Sequence, residues 1–277
     1  MEAMNTAALE NFAREFADFP EDYAIIGGVA CHLWFASRNT DFRRTQDMDL
    51  VLLVRTESQP FLQALLGFLE RHNYQAETIE LDDATRKARL YRFNNTGDAE
   101  APAQIELLGP DDETLHHALG QRSIPVKAGG EYSGLSCMLL DGNYFQLLRD
   151  HRQQVEGISV ADENVLVVYK MKAYLNIMAA RRAGKAHGSD GSRKNADKHR
   201  NDAVRLLLEG RIAQLPVSQR IHDDIMQFAG LLRSDEDVRK SLVNSFSTLY
   251  PQLNVTLDLL DALALNIEQT FSLEGEL

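Results

Sequence analysis

The sequence predicts an α+β protein. Strands and helices alternate to about residue 140, and helices alone fill the remainder. Three observations carry this. Short apolar runs such as "YAIIGG", "DMDLVLLV" and "AQIELLG" are too short for helices and are bounded by glycine, acidic or turn residues. Between them, "SQPFLQALLGFLERHNY" repeats its apolar residues with a 3.6-residue period. Past residue 141 the strand signals fade and the apolar spacing is helical. The expected division is a core domain over 1–140 and a helical C-terminal domain over 141–277.

Taken in order, residues 6–17 carry a helical pattern. The strand "YAII" runs straight into Gly27 and Gly28, and "VACHLWFA" continues as a helix. Residues 47–54 form a strand, because Val51 to Val54 is an unbroken apolar run. Ser58 is a start signal for the helix that follows. "ARLYRF" and "AQIELLG" are strands joined by the turn-rich "NNTGDAEAP", and "SGLSCMLL" is a further strand. Helices then occupy 141–154, 162–183, 196–209, 217–232, 235–247 and 255–271, with Asp141, Asp162 and Ser234 as caps. Gly184–Asn195 is basic, rich in Gly and Ser and without periodicity, so it reads as a mobile loop. There is no internal repeat.

The 277 residues are 44% hydrophobic and 25% charged, which is an ordinary globular profile. No apolar run approaches the roughly 18 residues of a membrane span. The acidic, amphipathic start does not resemble a secretory signal. Cys31 and Cys137 match no metal or redox spacing, so the simplest reading is a cytoplasmic protein with reduced thiols. A net charge of −12 argues against a broad electrostatic grip on nucleic acid. Positive charge for a nucleotide would have to be local, from metal ions and a few Lys or Arg. His116, His117 and His222 match no metal-ligand pattern.

Several residues could carry chemistry. Asp47 and Asp49 stand two apart at the mouth of a strand and so share a face. Either a divalent metal ion offsets their repulsion, or they form a solvated acidic turn. Glu106 shares a face with Gln104 and Leu108 in a strand that looks half-buried, where a carboxylate needs a partner unless it faces solvent. Gly27 and Gly28 between strand and helix suit close approach of a phosphate, or simply a tight turn. Arg43, Arg44 and Thr45 would contact phosphate oxygens or neutralise the aspartates. Lys170 and Lys172 interrupt an otherwise apolar helix and either snorkel or point at something negative. Lys198 and Asp202 share a helix face at i and i+4, as an exposed ion pair would.

The order of these pieces carries more than any one of them. A strand, Gly-Gly, a helix, Asp-x-Asp on the next strand and an acid on a later strand is the layout of the polymerase β-type nucleotidyltransferase fold. "IIGGVA", "FRRTQDMDLVL", "LYRFNN" with "QIELLG", "YKMKAYLNI" and "KHRNDAVRLL" resemble, in order, the blocks of the AbiEii-type nucleotidyltransferase family, over residues 23–208. That family includes bacterial toxin components. The resemblance implies a nucleotidyltransferase-type mixed β-sheet with flanking helices, followed by a helical C-terminal domain.

The resemblance also implies roles. Gly27 and Gly28 would be the phosphate turn, with Arg43, Thr45, Lys172 and Lys198 as further nucleotide contacts. Asp47 and Asp49 would bind metal, with Glu106 as the third carboxylate. Lys170, or else Lys172, would reach the phosphates, and Asp202 would be the acid of the second-domain motif. Val29 follows the glycines, where many relatives carry a hydroxyl. The implied activity is transfer of a nucleoside monophosphate from an NTP such as ATP to an acceptor hydroxyl by a two-metal, Mg²⁺-dependent mechanism. The acceptor would be RNA, for example a tRNA end, and an antitoxin protein would be the partner. Two other readings stand beside it: a small-molecule nucleotidyltransferase, as in antibiotic modification, and a non-catalytic nucleotide- or partner-binding module. No membrane partner is implied.

Overall fold

The computed structural model describes residues 6–43, 45, 47–53, 59–80, 86–110, 123–128, 131–185 and 191–275. Contacts divide the chain into Met1–Asp162 and Glu163–Leu277.

The first unit is a mixed sheet with helices. Its elements are α1 (Thr6–Glu15), β1 (Tyr23–Ile26), α2 (Gly27–Ala36), β2 (Asp47–Leu52), α3 (Gln59–Arg71), β3 (Gln75–Glu80), β4 (Arg86–Asn94) and β5 (Gln104–Pro110). They are followed by β6 (Ser123–Ala128), β7 (Glu131–Leu140), α4 (Gly142–Asp150), β8 (Arg152–Val155) and β9 (Ile158–Ala161). Among the described residues the strand order is β3-β4-β5-β2-β1-β9-β8, with β7 beside β5 and β6 beside β7. β2 runs parallel to β5 and antiparallel to β1, so the sheet is mixed, as expected from the sequence.

Alternation along two central strands sorts core from site. Met48 and Leu50 on β2, and Ile105 and Leu107 on β5, are fully buried. The residues between them, Asp47, Asp49, Gln104 and Glu106, point to the opposite face. Farther along, Val51 and Leu108 occupy that second face and are buried too. The polar patch is therefore confined to the entrance of the two parallel strands. Aromatic side chains build the core beside α1 and α3: Phe12 meets Phe68 edge-on, and Tyr23 stacks on Phe61.

Residues 152–154, expected at the end of a helix, and 155–161, outside any expected element, are strand and turn instead. β8 and β9 form a hairpin, and β9 pairs with β1 in parallel. Its two-residue turn, Glu156–Gly157, has both φ values positive (50° and 77°), the geometry that matches strand twist. The contact division at Asp162 therefore falls beyond the boundary expected at 140, because α4 and this hairpin belong with the sheet. The helix expected to reach Tyr74 ends at Arg71, where Asn73 (φ 54°) turns the chain left-handed and Tyr74 N–H closes onto Leu69 O.

The second unit is helical: α5 (Glu163–Arg182), α6 (Arg193–Glu209), α7 (Gln219–Ser234), α8 (Glu236–Leu249) and α9 (Leu257–Thr270). A short parallel pair, β10 (Leu215–Val217) and β11 (Phe271–Leu273), joins them. Asp141 caps α4 as expected, accepting from Asn143 N–H at 3.0 Å. Ser234 is not the cap of α8. Asp235 is, accepting from Val238 N–H, while the Ser234 hydroxyl donates to Gly230 O. Of the expected loop Gly184–Asn195, residues 193–195 are helical, with Ser192 as N-cap, and residues 186–190 lie outside the described residues. Ser58, Arg44, His116 and His117 also lie outside them.

Candidate active site

The site is assembled by register. Asp49 on β2 pairs in parallel with Glu106 on β5, and Asp47 pairs with Gln104 one step earlier. Paired residues in neighbouring strands point the same way, roughly 4.8 Å apart. Asp47, Asp49 and Glu106 therefore stand on one face of two adjacent strands. Asp47 is exposed, Asp49 half-buried and Glu106 only 7% exposed.

β1 brings the glycine turn to the same place. Ile26 pairs with Asp49, and the next residue opens α2 without a loop. Gly27 adopts φ +73°, a conformation that disfavours any residue with a Cβ. A Cβ at Gly27 would overlap Asp49 Oδ2 and lie 3.0 Å from its Cγ. A Cβ at Gly28 would lie 2.9 Å from Thr45 Oγ1 and 3.0 Å from Thr45 Cβ. Both positions are glycine because side chains of the Thr45–Asp49 segment sit directly on the turn. Ile26 supplies no side-chain cap to α2. The positive dipole end of this helix therefore begins at the residue on which the Asp49 carboxyl lies.

Thr45 places a hydroxyl against Gly28. Such a group is missing from the turn sequence itself, where Val29 follows. The Arg43 guanidinium lies over the Phe42 ring, 5.8 Å from its centre, and Phe42 in turn meets Phe35.

Glu106 has a partner that the sequence reading missed. Arg92 on β4 pairs directly with Glu106, and its Nε and Nη2 lie 3.0 and 2.8 Å from Oε2. A signal did exist. Closing "NNTGDAEAP" as a hairpin centred on Ala99 puts Arg92 opposite Glu106.

Among the described residues, no three His, Cys, Asp or Glu side chains are grouped so as to hold a metal ion. Glu106 directs one oxygen to Arg92. The donor chemistry still fits Mg²⁺, which is usually bound by one or two carboxylates together with substrate phosphates and water. Asp47 and Asp49 are such a pair.

The remaining sequence candidates lie in the helical unit. Lys170 Nζ on α5 is 3.0 Å from Asp202 Oδ2 on α6, with side chains 5% and 3% exposed. Lys172 Nζ bonds Asp224 Oδ2 on α7 at 2.6 Å. Of the two readings open for these lysines, pointing at something negative holds for both, because each finds an aspartate across a helix interface. Asp202 is likewise a buried residue rather than half of an exposed pair with Lys198. Two residues earlier on α6, Arg200 is fully buried and donates to Ser241 Oγ at 3.1 Å. Its Nη1 lies 3.1 Å from Asp197 Oδ1, a charge contact without hydrogen-bond alignment. Burial holds the Arg200 guanidinium below its usual pKa and raises that of the neighbouring Tyr174 phenol.

Fold and site define a mixed-sheet α+β protein with a carboxylate face beside a glycine turn. No family model and no curated protein matches the sequence. Among solved structures, the chain is similar to an antigenic nucleotidyltransferase-like protein from Paracoccidioides brasiliensis. The identity is 15%, covering 93% of this chain and 95% of that one, with a TM-score of 0.35. It is also similar to the Megavirus polyadenylate synthase, at 10% identity over 83% of this chain and 37% of that one, with a TM-score of 0.35. At such TM-scores neither likeness carries weight, and the functional reading rests on the residues.

Proposed function

We propose that the chain is a nucleotidyltransferase that moves a nucleoside monophosphate from an NTP to an acceptor hydroxyl. The observation that supports this best is the seating of Asp49 and Thr45 on Gly27 and Gly28, with Asp47 and Glu106 on the same face. Carboxylates gathered beside a helix N-terminus suit a cation and a polyanion held side by side.

In this reading Asp47 and Asp49 hold Mg²⁺ together with the triphosphate. A bound pair of such ions would supply charge neutralisation and activation of the attacking hydroxyl. The first-turn N–H groups of α2 and the Thr45 hydroxyl receive phosphate oxygens, and Arg43 adds positive charge. The acceptor oxygen attacks the α-phosphorus in line and releases its proton to solvent. A bond from that oxygen to phosphorus forms, the α–β phosphoanhydride bond breaks and pyrophosphate leaves. The chain positions these groups and performs no covalent step of its own.

The finer reading is an AbiEii-type enzyme acting on RNA, such as a tRNA end, as the toxin of a toxin–antitoxin pair. The net charge of −12 favours a second acceptor class, a small molecule, since RNA binding prefers a basic surface. Incubation with each α-labelled NTP, Mg²⁺ and total RNA separates them. Label on RNA supports the finer reading, and label on a small molecule from a cell extract supports the second. Failure of all four NTPs to transfer label in either mixture overturns the proposal.

A further inference from the structure

Across β4, β5 and β2, one row on the site face reads Arg92, Glu106, Asp49. Arg92 grips Glu106 through two nitrogens on a single oxygen, and the side chains are 16% and 9% exposed. A two-donor, charge-assisted contact at that depth fixes orientation more firmly than a solvated pair would. The planar guanidinium supplies this fork and an ammonium cannot. A cation at the end of an acidic row also lowers the negative potential that the row offers to an incoming metal ion.

We propose that Arg92 is a positioning residue of this site, holding Glu106 in one orientation beside Asp49 and moderating the attraction of the face for divalent cations. Its bearing on catalysis rests on the nucleotidyltransferase reading; its bearing on cation affinity does not. A face that bound the metal too tightly would retain metal–pyrophosphate after transfer. A Glu106 free to rotate would disturb the geometry around Asp49. The two roles of Arg92 therefore act in opposite directions on affinity and turnover, which a purely structural ion pair would not do.

The test uses Mn²⁺ as probe, titrated by electron paramagnetic resonance against the full chain, with transfer assayed in parallel. Arg92→Gln is expected to bind Mn²⁺ several-fold tighter than wild type, while kcat falls about ten-fold or more. Arg92→Lys keeps the charge and is expected to hold near-wild-type Mn²⁺ affinity with an intermediate kcat. It also serves where Arg92→Gln does not fold. In a Glu106→Gln background the gain from Arg92→Gln shrinks, because no carboxylate is left for the loss of Arg92 to free toward the ion.

Unchanged or weaker Mn²⁺ binding in Arg92→Gln overturns the inference. So does an Arg92→Lys that behaves like wild type in both measurements while Arg92→Gln is unfolded. So does a wild-type chain that binds no Mn²⁺. A wild type that binds Mn²⁺ but transfers no label fails the transferase reading instead, and the binding arm alone then decides the role of Arg92.

Discussion

In the sheet unit, Asp47, Asp49 and Glu106 are brought together by strand register, and they carry the same charge. In the helical unit, Lys170 and Asp202 are brought together across α5 and α6, and they carry opposite charges at 3.0 Å. Backbone pairing fixes the first arrangement whatever the side chains prefer. In the second, helix packing brings the two side chains near, and their attraction offsets the cost of burying both charges. Asp to Asn, the same change of one atom, should therefore act differently in the two places. It relieves repulsion on the sheet face. In the helix interface it strands a buried ammonium.

The largest stability effect is expected at Asp202→Asn. Removing one partner of a pair this buried leaves an uncompensated charge and costs about 3–5 kcal/mol. A drop in Tm of roughly ten degrees or more would follow for a unit of this size. The double substitution Lys170→Met with Asp202→Leu removes both charges and should recover most of that loss. If Asp202→Asn melts with the wild type, the contrast between the units fails on its helical side. If the double substitution is no better than the single, the pair has a role beyond charge balance.

Legibility from sequence followed the same divide. Asp47 and Asp49 could be placed on one face, and Glu106 on the face of Gln104 and Leu108, because strand periodicity is local and exact to the residue. That these two faces coincide was implied by the family resemblance alone and is set by the β2–β5 register. The helices α5 to α9 were readable for a similar reason. Arg92 was missed because its meaning depends on the register of a hairpin, and register is set by turn closure rather than by the strand's own pattern. The pairing of Lys170 with Asp202 was missed because the residues lie on different helices, and the sequence offered Asp202 a nearer partner in Lys198. β8 and β9 were missed because each is only four residues long and their turn is Glu-Gly rather than Asn-Gly. The glycine pair was assigned to the right turn. That side chains of the chain itself press on it is a tertiary fact with no local signal.

Gly27→Ala comes next in size and sharpens the comparison from the backbone side. The left-handed conformation alone costs a residue with a Cβ about 1–2 kcal/mol. The added methyl also displaces the Asp49 carboxylate, so stability and transfer should fall together. Adding Asp49→Ala removes the overlap but not the strain at φ +73°. The pair of substitutions should then be less destabilising than the sum of the two singles, a coupling that denaturant titration of the four variants would read. Strict additivity would mean that Asp49 does not rest on the turn in solution.

Asp49→Asn should change stability least and function most. The amide keeps the shape of the carboxylate over Gly27 and removes one of several like charges on the face. Apo Tm is expected to stay level or rise slightly. The lost charge is the one proposed to bind Mg²⁺ with the NTP, so transfer should fall by a thousand-fold or more, on the order of what removal of a central electrostatic group costs other enzymes. Stabilisation by Mg²⁺ plus NTP should vanish with it. Melting curves with and without those ligands, run beside the labelled-NTP assay, read both quantities from one preparation. A variant that keeps its ligand-induced shift and its activity would make the aspartate pair an acidic turn. A variant that loses several degrees of apo Tm would show that an amide cannot replace the carboxylate in the contacts Asp49 makes, as at Asp202. The two units would then follow one rule instead of two.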